Sequence, residues 1–96
     1  MKIYLTALVK ATKGNAEKMK PLLFELVRQT LTEEACLQYE LFQSDDDEHQ
    51  FIFHETWRDQ QGMDQHNKSK GITDFVREAS PIMDGGITVY KTSKIR

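Results

Sequence analysis

Apolar and polar positions alternate with period two along residues 2–10. Ile3, Leu5, Ala7 and Val9 fall on one face of a strand, and Tyr4, Thr6 and Leu8 on the other. Both faces are substantially apolar, so the pattern predicts a strand covered on both sides. Thr12-Lys13-Gly14 reads as a turn, and Asn15 fits the N-cap of a helix. Ala16, Met19, Leu22, Leu23, Leu26, Val27 and Leu31 then recur at three- and four-residue spacing, predicting an amphipathic helix to about Thr32. Pro21 lies inside it and predicts either a kink or a regular segment that begins there.

Alternation returns over residues 37–44, with Leu37, Tyr39 and Leu41 set against Gln38, Glu40 and Phe42. It resumes over residues 50–57, where Phe51, Phe53, Glu55 and Trp57 share one face and Ile52, His54 and Thr56 the other. A short polar loop joins these two segments, which marks an antiparallel pair. Asp59 suits the cap of a short helix to about Asn67. Beyond Gly71 a second helical stretch carries Ile72, Phe75, Val76, Ala79 and Met83, and Pro81 and Gly85-Gly86 end it. Residues 87–92 form a last strand. The order β-α-β-β-α-β predicts an α+β chain of the ferredoxin-like split β-α-β type, with helices on one face of a four-stranded antiparallel sheet. The other face, with Tyr4, Thr6, Leu8, Phe42, Ile52 and Thr56, is left open, and an apolar face of this kind calls for a partner. A second copy packed sheet to sheet is the simplest one.

Length and composition narrow the function. The 96 residues make one domain, 1–96, with a thin core. Thirteen basic against fifteen acidic residues give a net charge of −2, so nothing attracts a phosphate backbone and nucleic acid is not an expected partner. The run Asp45-Asp46-Asp47-Glu48 reads as a solvated loop ahead of a metal-binding one. One cysteine, Cys36, allows no internal disulfide, and no apolar run has the length of a signal core or a membrane span. The expected location is cytoplasmic, without membrane contact.

Phosphate-binding glycine loops, Cys-x-x-Cys and His-Glu-x-x-His are all missing. His49, His54 and His66 lack zinc-site spacing, so no metal or other cofactor is expected. What remains is Glu55-x-Trp57 followed by His66. Residues two apart on a strand point the same way, and the next helix can return the imidazole over that face. The bland reading is that Trp57 packs the core, Glu55 satisfies a neighbour and His66 sits at a helix end.

These residues, with Glu34-x-Cys36 and Tyr39-Glu40-Leu41-Phe42 before them, resemble the antibiotic-biosynthesis-monooxygenase family over nearly the whole chain. Where the family has Glu-Gly before the second strand, this chain has Glu34-Ala35, a change that bears on how the backbone reaches that strand. The resemblance implies a dimeric α+β barrel and a pocket lined by Trp57, His66, Tyr39, Leu5, Phe53 and Phe75. It further implies cofactor-independent oxidation of a small electron-rich aromatic, such as a hydroquinone or a polyketide anthrone. In that chemistry His66 is the base, since imidazole titrates near neutrality. Trp57 stacks on the substrate, Tyr39 donates to a developing oxyanion, and Glu55 orients His66 or the substrate, or holds the fold. Two other readings stay open. One is an isomerase or tautomerase of a small oxygenated metabolite; a phosphorylated one would draw on Lys68, Lys70 or Arg77. The other is a non-catalytic small-molecule-binding dimer. Haem degradation is disfavoured, because Ala7 stands where haem-degrading relatives carry asparagine.

Overall fold

The computed structural model describes residues 1–96. Its elements are strand β1 (Ile3–Lys10), helix α1 (Ala16–Thr30), strands β2 (Cys36–Gln43) and β3 (Gln50–Trp57), helices α2 (Gln60–Asn67) and α3 (Lys70–Ala79), a 3₁₀ turn (Ser80–Ile82) and strand β4 (Thr88–Thr92). The sheet order is β2-β3-β1-β4 and every neighbouring pair is antiparallel. This is the ferredoxin-like α+β arrangement, with the helices on one face.

Period-two burial follows the alternation. Leu5, Ala7 and Val9 are buried beneath the helices, with Phe51, Phe53, Glu55 and Trp57 beside them on β3. From α1, Ala16, Met19, Leu23 and Leu26 close the layer, and α3 adds Phe75 and Ala79. The opposite face carries Tyr4, Thr6, Leu8, Ile52, His54, Phe42 and Tyr90 by register, and Phe42 remains 47% exposed there.

Several local expectations need correction. Asn15 precedes α1 but makes no side-chain cap; its amide donates to Thr12 Oγ1 at 2.8 Å, within the turn that Gly14 closes at φ +82°. Pro21 neither ends α1 nor delays its start. The carbonyl it leaves without an N–H is that of Glu17, an exposed residue where water can serve instead. Leu31 lies past the helix end and is exposed. Leu37 does not share a face with Tyr39: a bulge between Cys36 and Gln38 shifts the register, leaving Leu37 49% exposed and Tyr39 buried. The acidic loop binds locally, with Asp47 accepting from the His49 backbone N–H and pairing with Lys10. No helix is long and apolar enough to cross a membrane.

The start of β2 is set by one close approach. Ala35 has no left-handed backbone, so alanine in place of glycine costs nothing in φ there. The demand falls on α2, where a Cβ at Gly62 would stand 2.3 Å from Ala35 Cβ. A helix-interior Gly→Ala change ordinarily stabilises by about 1 kcal/mol. Here Gly62→Ala is expected to destabilise by about 1–3 kcal/mol through overpacking. The double variant Ala35→Gly/Gly62→Ala should recover most of that loss, as measured by denaturant midpoints of the two proteins and the parent.

Candidate active site

Between the sheet and the helices lies a cavity of about 290 Å³. It is at the small end of the range for ligand sites. Its wall is mostly apolar: Leu5, Ala7 and Phe53 from the sheet, Met63 from α2, Ile72 and Phe75 from α3. Five polar side chains reach it, namely Tyr39, Glu55, His66, Asn67 and Lys91.

His66 comes from α2, which Asp59 starts by accepting the Gly62 backbone N–H at 2.8 Å. Two turns on, the imidazole is 3% exposed and lies against Trp57, with ring centroids 4.6 Å apart and planes at 36°. Tyr39 meets it edge-on at 5.6 Å. Nδ1 is 3.0 Å from Glu33 Oε2. A carboxylate in that position accepts Nδ1–H and thereby leaves the Nε2 lone pair available. Nε2 has no hydrogen-bond partner in the protein, and His66 lines the cavity.

Glu55 is 6% exposed and accepts the Trp57 indole N–H at 2.9 Å. Burial raises its carboxyl above the usual range, the more so with Glu33 nearby, while the indole donor and His66 pull it down. Burial likewise pushes the Tyr39 phenol upward, with Glu55 adding to it and Thr30 opposing it. A phenol shifted that way remains a hydrogen-bond donor through the neutral range. Cys36, partly buried, is pushed up to about 11 by desolvation and by the charges of Glu33 and Glu55, which keeps it a thiol. No cluster of three or more His, Cys, Asp and Glu side chains is arranged to hold a metal ion.

Residues 2–78 match the family model described as antibiotic biosynthesis monooxygenase. The chain belongs to this family. A Bacillus subtilis protein named "Putative monooxygenase YcnE" is 28% identical over 90 residues, covering 94% of this chain and 95% of that protein. Among solved structures, PA3566 from Pseudomonas aeruginosa is 27% identical with a TM-score of 0.92, covering 99% of this chain and 95% of that one. A crystal structure described as an antibiotic biosynthesis monooxygenase is 26% identical, also at 0.92, covering 98% and 99%. These likenesses support a monooxygenase-type enzyme and leave the substrate and mechanism unnamed.

Within this family member the residues singled out in the sequence do meet, though not all in the expected relation. Tyr39, Glu55, His66, Leu5, Phe53 and Phe75 all line the cavity. Trp57 does not: it is 0% exposed and lies behind the wall, because the His66 ring covers it and its N–H is committed to Glu55. Glu55 does not orient His66 by a hydrogen bond; Glu33 does. Lys68, Lys70 and Arg77 are absent from the cavity wall, and the last two pair with Asp74 on the surface of α3. The sequence reading missed Glu33, Asn67, Met63 and Lys91. Of the two adjacent glutamates, Glu34 goes outward to Arg58 and Glu33 inward to His66, and no spacing rule separates them.

The raised carboxyl of Glu55 makes a pH prediction. With the folded pKa above the unfolded one, the native state binds more protons across that interval. The stabilising contribution is complete below the unfolded value of about 4.3 and is lost as pH rises through the folded value. Glu55→Gln keeps an oxygen for the indole and cannot ionise. Its melting temperature relative to the parent is expected to rise from pH 4 to pH 7; a difference that stays flat or falls would show that Glu55 carries no burial penalty.

Proposed function

We propose that this chain is a cofactor-independent monooxygenase that oxidises a small electron-rich aromatic, a hydroquinone or an anthrone-type ring system. The observation that supports this most is the Glu33–His66 pair, which offers a free Nε2 at the edge of a small apolar cavity. A hydroquinone is a poor one-electron donor until it loses a proton. His66 Nε2 takes that proton, and Glu33 stabilises the imidazolium that results. Tyr39 donates a hydrogen bond to the oxygen that gains charge. The phenolate then gives one electron to dioxygen, and the radical pair recombines into a carbon–oxygen bond. His66 returns its proton as the peroxide O–O bond breaks and water leaves. The balance is hydroquinone plus dioxygen to hydroxyquinone plus water, with all four electrons drawn from the substrate. An apolar wall suits this sequence, since water would reprotonate the phenolate or separate the radical pair.

The expected outcome is oxygen uptake with some member of a hydroquinone and anthrone panel, with chelator present and flavin omitted. His66→Ala should lower turnover by about 10²- to 10⁴-fold, as for loss of a general base. Glu33→Gln should cost less, because the imidazole remains. If His66→Ala melts like the parent and turns over within about threefold of it, the base lies elsewhere.

The same reading includes a homodimer. The open sheet face presents Leu8, Ile52, Phe42 and Tyr90, and no helix covers it. Face-to-face packing of two such sheets should bury on the order of 2,000 Å² or more in total. Light scattering is expected to give twice the 11.2 kDa chain mass. Leu8→Asp should abolish the dimer or its folding by burying an unpaired charge; a monomeric parent at micromolar concentration would overturn the assignment.

A further inference from the structure

The cavity has a second polar end. Lys91 is the only lysine or arginine on its wall, and it comes from β4, beyond the residues 2–78 that match the family. Register sets Tyr39 beside Glu55, Glu55 beside Leu5 and Leu5 beside Lys91. One row across the cavity floor thus runs phenol, carboxyl, leucine, ammonium. With strands about 4.8 Å apart, the Glu55 and Lys91 backbones stand about 10 Å from each other. The helix above agrees. Lys91 Nζ donates to Gln60 Oε1 at 2.6 Å, in the first turn of α2, whereas His66 lies six residues further, about 9 Å along the axis.

The ammonium is held but not neutralised. Lys91 has no carboxylate partner; the group it donates to is a neutral amide. That amide is itself fixed, because Gln60 Nε2 donates to Asp64 Oδ1 at 2.9 Å and so turns its oxygen toward Lys91. Two of the three ammonium N–H groups are left for a ligand, and Asn67 supplies a neutral amide on the same wall.

We propose that Lys91 is a specificity-determining residue that anchors a carboxylate on the substrate, one ring length from the oxygen served by His66. The proposal rests on the cavity being the substrate site. A single ammonium suits a carboxylate; a phosphate dianion is usually met by several cations or a bidentate guanidinium. The substrate is then an aromatic acid with its phenolic or enolic oxygen at the far end, and Leu5 and Phe53 lie against the ring between them.

The test compares para-hydroxyphenylacetate with its primary amide, which differs only in charge. Binding is measured by titration calorimetry on the parent, Lys91→Met, Lys91→Arg and His66→Ala, with melting temperatures to confirm folding. The parent and His66→Ala should favour the acid by about two- to fivefold, a charge-assisted contact at a solvent-exposed lysine. The preference should shrink as salt is raised. Lys91→Met should lose it while keeping the affinity for the amide, and Lys91→Arg should retain it. Equal affinity of the parent for both probes, a preference that survives Lys91→Met, or no binding of the acid at millimolar concentration would overturn the proposal. A Lys91-dependent preference without oxygen uptake by any substrate would leave the anchor standing and remove the monooxygenase reading. Oxygen uptake that depends on His66 but is indifferent to the carboxylate would do the reverse.

Discussion

A carboxyl group on the helix-facing side of the sheet governs the arrangement around it. Glu55 sits among Tyr39, Phe53 and Trp57, where an unpaired polar group costs several kcal/mol. The indole N–H two residues along the same strand meets that need, and the strand itself guarantees the geometry, since alternate residues point the same way. Committing the indole N–H fixes the ring plane, and the fixed plane is what His66 lies on. The imidazole in turn has only one edge left for a protein partner, and Glu33 takes it. Each placement thus constrains the next, from a buried acid to a histidine with one nitrogen held and one free.

The helical cover explains why a hollow exists at all. α2 has only eight residues, and the turn between Asn67 and Lys70 separates it from α3. Two short helices in series cannot lie flat over four strands as one long helix would, so the β4 edge of the sheet, where Val89 is exposed, is roofed incompletely. Trp57, Phe51 and Met19, all fully buried and none of them on the cavity wall, fill the rest of the layer. Leu5, Tyr39, Phe53, His66 and Phe75 on the cavity wall are themselves buried, so the thin core and the cavity share side chains in this small domain.

Much of this was legible in the amino-acid order. Period-two and three-to-four patterns placed every strand and helix, because burial on one face leaves a periodic trace. Glu55, Trp57 and His66 were drawn together by the same logic. Other features leave no such trace. The bulge that turns Leu37 outward depends on the partner strand, not on the local pattern. Glu33 and Glu34 are identical residues in a turn, and only the completed fold sends one inward. Lys91 is an exposed residue on a polar strand, and only its register with Leu5 brings it to the cavity wall. Trp57 lies on the expected face but behind the cavity wall, because alternation distinguishes sides and not depth.

The burial of Trp57 has an optical consequence. It is the sole tryptophan of the chain, so all indole emission arises from one environment. That environment is shielded from water, and an imidazole ring lies 4.6 Å away. A protonated imidazole quenches indole excited states far more strongly than a neutral one. The fluorescence intensity of the unlabelled protein therefore reads out the charge of His66, and its emission maximum reads out whether the layer behind the cavity stays dry.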